Sequence, residues 1–127
     1  TQLGRLLAEK AQLPYPVSKF SAKLGILCLH HVGVMKKSVS QLTKERRWLI
    51  DRLRELEGLE VFESQTNFVL VSTNQDSSVV CAKLRSRGVS VKDVGNVGRF
   101  TGCLRITVGT RMMNLKMLDG LKVAMGS

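Results

Sequence analysis

Apolar residues recur along this chain with two different periods, and the switches between them predict the order of elements. Residues 2–10 have helical composition, and Leu13-Pro14-Tyr15-Pro16 stops that segment because each proline lacks an amide donor and biases its predecessor to extended geometry. Ser18 is placed to cap a helix through about His31, with Phe20, Leu24, Leu27 and Cys28 spaced for one buried face. Gly33 punctuates. A second helix over about residues 34–56 has the clearest period, with Val39, Leu42, Leu49, Ile50, Leu53 and Leu56 in one stripe and charges opposite. Gly58 closes it as a C-terminal cap.

Short β-branched runs follow. Residues 59–63 and 68–72 predict two strands joined by the turn-forming Ser64-Gln65-Thr66-Asn67. A helix over residues 78–87 ends at Gly88, and residues 89–94 predict a third strand. Residues 95–102, with three glycines, resemble a loop, after which residues 103–108 predict a fourth strand and Thr110 caps a last helix to about Met125. This order describes an α+β fold, a small antiparallel-type sheet covered by helices.

One domain is expected from 127 residues that are 43% hydrophobic. Twenty Lys and Arg against ten Asp and Glu give a net charge of +10, which favours acidic partners. The basic residues are scattered among acids, however, and six aromatics do not form the stripe expected of a single-strand binder, so no nucleic-acid partner is assigned. Cys28, Cys81 and Cys103 are an odd number, far apart, and read as reduced core residues; His30 and His31 read as a helix-end pair with one ring partly buried. No metal site follows from these spacings. The most apolar stretch, residues 24–34, is too short to span a bilayer, and no signal segment opens the chain, so a soluble cytoplasmic protein is expected.

No nucleophile with an orienting base is recognisable in the chain. Arg105 is the residue to examine. Alternation along the fourth strand puts it on one face with Cys103 and Thr107, opposite Leu104, Ile106 and Val108. A strand-borne arginine presents a planar fork suited to carboxylate or phosphate, although spacing alone fits a solvent-exposed or salt-bridged arginine better.

The segment Thr101-Gly102-Cys103-Leu104-Arg105-Ile106-Thr107-Val108-Gly109-Thr110-Arg111 is similar to the carboxy-terminal signature of histidinol-phosphate aminotransferases. Leu13-Pro14-Tyr15-Pro16-Val17-Ser18 resembles that family's entry into its small domain, and Glu45-Arg46-Arg47-Trp48-Leu49 its long helix. Residues 61–68 resemble its Ser-x-x-Asn-Phe strand pair, and Ser90-Val91-Lys92-Asp93 a further landmark.

The resemblance implies the C-terminal small domain of a fold-type I pyridoxal-phosphate enzyme, with residues 1–16 as an interdomain helix end and linker and residues 17–127 as the small domain. The activity implied is transamination between histidinol phosphate and 2-oxoglutarate, giving glutamate, in histidine biosynthesis by a cytoplasmic homodimer. The cofactor pyridoxal 5'-phosphate and its Schiff-base lysine are implied to belong to a large domain missing from this sequence, so no catalytic or cofactor-binding residue is assigned here and the fragment alone is expected to be inactive. Arg105 matches the family arginine that holds the substrate's anionic end. Lys92 stands where the family commonly has a second arginine assisting with the phosphate, which keeps the charge and loses the fork. Tyr15 and Asn67 match family positions assigned to packing or a domain interface. A threonine-phosphate decarboxylase of the same fold, or a basic nucleic-acid-binding module, are the alternatives.

Overall fold

The structure is a computed structural model, and it describes residues 17–126. The chain divides into two units, Thr1–Lys37 and Ser38–Ser127. In the first unit lie helix α1 (Lys19–His30) and the opening turns of α2 (Val32–Arg54). Ser18 caps α1 by accepting from the Ser21 amide, as its hydroxyl predicts. The expected buried face is corrected: α1 buries none of its residues, and Phe20, Leu24 and Leu27 are 74%, 50% and 56% exposed. Cys28 is exposed with them, as are His30 and His31, so neither the core reading of this cysteine nor a part-buried histidine holds. The helix break falls at His31, and Gly33 lies inside α2.

Within the second unit the α2 stripe does what its period predicts. Leu49, Ile50, Leu53 and, just past the helix end, Leu56 are buried, and Leu42 packs at the rim; Val39 is exposed. The strands are β1 (Leu59–Val61), β2 (Phe68–Thr73), β3 (Lys92–Val97) and β4 (Phe100–Thr107), in the order β1-β2-β4-β3 with every pairing antiparallel. Helices α3 (Ser77–Ser86) and α4 (Arg111–Met125) supply Val80, Cys81, Leu84, Met117, Leu118 and Leu121 to the core. That core is one cluster against one sheet face, where it meets Val69, Val71, Leu104 and Ile106.

Two boundaries move for physical reasons. Val89 is not a strand residue: with Gly88 left-handed at φ +71, the Val89 amide donates back to Leu84 O at 3.0 Å and its buried side chain closes the end of α3. The expected loop over residues 95–102 is instead a hairpin. Left-handed Gly95 lets β3 bulge and continue, Val97 pairs Phe100, and Gly98 with Arg99 makes a two-residue turn. Thr110 caps α4, accepting from the Met113 amide. Among the described residues no helix is long and apolar enough to cross a membrane.

Candidate functional site

Strand β4 carries Arg105, and the hairpin with β3 sets what stands beside it. Arg105 is the direct cross-strand partner of Lys92 on β3 and of Leu70 on β2. Directly opposite residues share a face, so the two sequence-nominated cations are neighbours, both exposed, on the side of the sheet that carries none of the core cluster. Like charges so placed repel each other.

No acid among the described residues neutralises either one. Asp93, adjacent to Lys92, is turned away by strand alternation: its Oδ1 accepts from Ser77 Oγ at 2.8 Å and from the Gly95 amide at 2.9 Å. Burial, helped by the charge of Asp93, pushes the Cys81 thiol above its ordinary value, so this cysteine is an inert core residue. Cys103 is buried as well.

The guanidinium of Arg105 lies over the ring of Phe68, with Cζ 5.4 Å from the centroid. Sequence reasoning missed this contact, although Phe68 belongs to the quoted Asn67-Phe68 pair. Asn67 contributes main chain, accepting from the Val108 amide at 2.9 Å and tying the end of β4 to the loop before β2. Tyr15 lies outside the described residues.

Beyond β4 the chain is locked by a second group that sequence did not assemble. Arg111 Nε and Nη2 donate to the two carboxylate oxygens of Glu45, each at 2.9 Å, and its Cζ stands 3.8 Å from the Trp48 ring centroid. Buried Asn114 accepts from the Gly109 amide at 2.9 Å and donates to Gly109 O at 3.1 Å and to Glu45 at 3.3 Å. The Arg111 hydrogen bond is the main cause holding the Glu45 carboxyl below its ordinary value. Arg46, next to Glu45 on α2, donates to Thr66 O at 2.9 Å in the loop before β2.

A pyridoxal phosphate site needs an amine for the imine and a cradle for the phosphate. The described residues do not fit it: every described lysine is exposed, Lys83 donates to Ala124 O at 2.8 Å, and Lys116 lines an apolar depression of about 400 Å³ without an arginine beside it. The chemistry this geometry offers is recognition of an anion.

Comparison with known proteins shows which family the chain belongs to. The histidinol-phosphate aminotransferase 2 of Archaeoglobus fulgidus is 36% identical over 114 residues, which is 90% of this chain and 33% of that protein. The chain thus spans about a third of the length of the curated relatives it matches. The fold is shared with the histidinol-phosphate aminotransferase of Clostridium acetobutylicum, at a TM-score of 0.78 and 23% identity over 93% of this chain and 36% of that one. It is shared also with the Sinorhizobium meliloti enzyme in complex with pyridoxal-5'-phosphate, at 0.74 and 20% identity over 93% of this chain and 33% of that one. With the sequence model of the family described as aminotransferase class I and II matching residues 7–121, the chain belongs to that family.

Proposed function

We propose that this chain is the C-terminal small domain of a pyridoxal-phosphate-dependent histidinol-phosphate aminotransferase, and that Arg105, assisted by Lys92, receives the substrate's anionic end. The observation that carries the reading is the cross-strand pair itself: two cations side by side on an open sheet face with no acid of the described residues between them. An anion relieves their repulsion and takes the fork of Arg105 bidentately, with Lys92 as a point charge beside it. Phosphate from histidinol phosphate and carboxylate from glutamate or 2-oxoglutarate both suit that arrangement. Pyridoxal phosphate, held by residues beyond those described here, supplies the electron sink. On the same reading residues 1–16 are the linker from a large domain, residues 17–127 the small domain, and the whole enzyme a cytoplasmic homodimer.

The test is Arg105→Ala in the full polypeptide, assayed with histidinol phosphate and 2-oxoglutarate. Removing one side of a charge-assisted pair lowers kcat/KM by roughly 30-fold to several-thousand-fold. Arg105→Lys recovers part of the loss, because a point charge does not reproduce the fork, and Lys92→Arg is tolerated. Turnover by the Ala variant within about twofold of the parent sinks the assignment. Release of carbon dioxide from a phosphorylated amino acid, without amino transfer, replaces the transaminase reading by a decarboxylase.

A further inference from the structure

We infer that Phe68 is a positioning residue for Arg105, its ring steadying the guanidinium while leaving every N–H of the fork free for the anion. The inference rests on the reading of Arg105 as the anion clamp.

Register places the ring where it can act. Phe68 pairs with Thr107 and Leu70 with Arg105, so Phe68 is the diagonal neighbour of Arg105 on the same face, a separation that aromatic and long side chains bridge. The 5.4 Å from Cζ to the ring centroid lies inside the range of about 6 Å over which a ring attracts a cation. The ring's own backbone is anchored by the loop before it. Its amide donates to Thr66 Oγ1 at 3.3 Å, and its carbonyl accepts from Ser64 Oγ at 2.5 Å and from Thr66 Oγ1 at 3.2 Å.

The chain contains the contrasting arrangement for comparison. Arg111 has a ring beneath it and also a carboxylate on its fork, so its Nε and Nη2 donors are taken by Glu45, which also balances its charge. Arg105 has the ring and no carboxylate among the described residues. An acid at that place would steady the arginine too, but it would cancel the charge and occupy the donors that a substrate anion needs. A ring attracts the cation through its quadrupole and accepts none of those in-plane hydrogen bonds.

The experiment is a double-mutant cycle in the full polypeptide, with Phe68→Leu and Phe68→Tyr each made alone and with Arg105→Ala. The readouts are kcat and KM for histidinol phosphate and competitive inhibition by inorganic phosphate. Leucine keeps apolar bulk and removes the quadrupole, so KM and the inhibition constant for phosphate rise roughly two- to fivefold while kcat changes little. Tyrosine restores both, and in the Arg105→Ala background the Phe68→Leu effect disappears. An equal effect of Phe68→Leu in both backgrounds, with Arg105→Ala alone still impaired, overturns the role of Phe68 and leaves the clamp standing. A harmless Arg105→Ala overturns both. Loss of kcat with Phe68→Leu that tyrosine fails to restore marks the ring as mere packing and also refutes the inference.

Discussion

Gly102 sits three residues before Arg105 at φ +59, and replacing it with alanine tests how β4 is seated. A Cβ built there lies 2.6 Å from Gln75 O and 2.9 Å from Thr73 O, both backbone atoms with little freedom to retreat. Gly98 provides the control, because its φ is +58 and nothing lies within 4 Å of its Cβ. Both variants incur the left-handed penalty of about 1–2 kcal/mol, offset by about 0.4–1 kcal/mol from the stiffer unfolded chain. Gly98→Ala therefore costs about 1.6 kcal/mol at most. Gly102→Ala adds the overlap, and forcing atoms into filled space typically costs a further 1–3 kcal/mol or so. Urea unfolding followed by the fluorescence of the single tryptophan, Trp48, reads the difference. With a slope of about 1–3 kcal/mol per molar, the two midpoints should differ by roughly 1 M. Coincident midpoints would refute the close approach of β4 to Thr73 and Gln75.

The Glu45 carboxyl is held below its ordinary value chiefly by the Arg111 hydrogen bond, so its contribution is complete above the unfolded-state pKa and is lost as pH falls through the lower folded value. Acidification through that lowered folded value should loosen Arg111 from Trp48 and change the Trp48 emission, and Glu45→Gln should abolish that step; a parent profile that is flat down to the acid unfolding transition refutes the coupling. The exposed apolar residues of α1, among them Phe20, Leu24 and Leu27, should drive concentration-dependent association of this chain, which sedimentation reads and Leu24→Glu should weaken; a strict monomer at high concentration contradicts it.

What sequence could deliver depended on whether the deciding interaction was periodic or long-range. The alternation that exposes Arg105 is a local repeat and stands as read, and so does the α2 stripe from Leu42 onward, whereas Val39, spaced for the same stripe, is exposed. Strand β3 was misplaced because Val89 carries a strand-like side chain that serves a helix end, while Gly95 and Gly98 look like loop residues and serve a bulge and a tight turn. The adjacency of Lys92 to Arg105 and the diagonal reach of Phe68 depend on register, which no single strand contains. Glu45 and Arg111 stand 66 positions apart in the chain, too far for any local pattern to join them.

The cross-strand pair of Lys92 and Arg105 also bears on any attempt to make this protein more robust. Opposed like charges weaken a sheet, and a threonine or a glutamate at either position would pair better with what remains. A selection for heat resistance alone is therefore drawn to these two positions, and the variants it rewards are those least able to hold an anion. Substitutions that strengthen the fold at Lys92 or Arg105 are the ones to screen out first when a hardier enzyme is wanted.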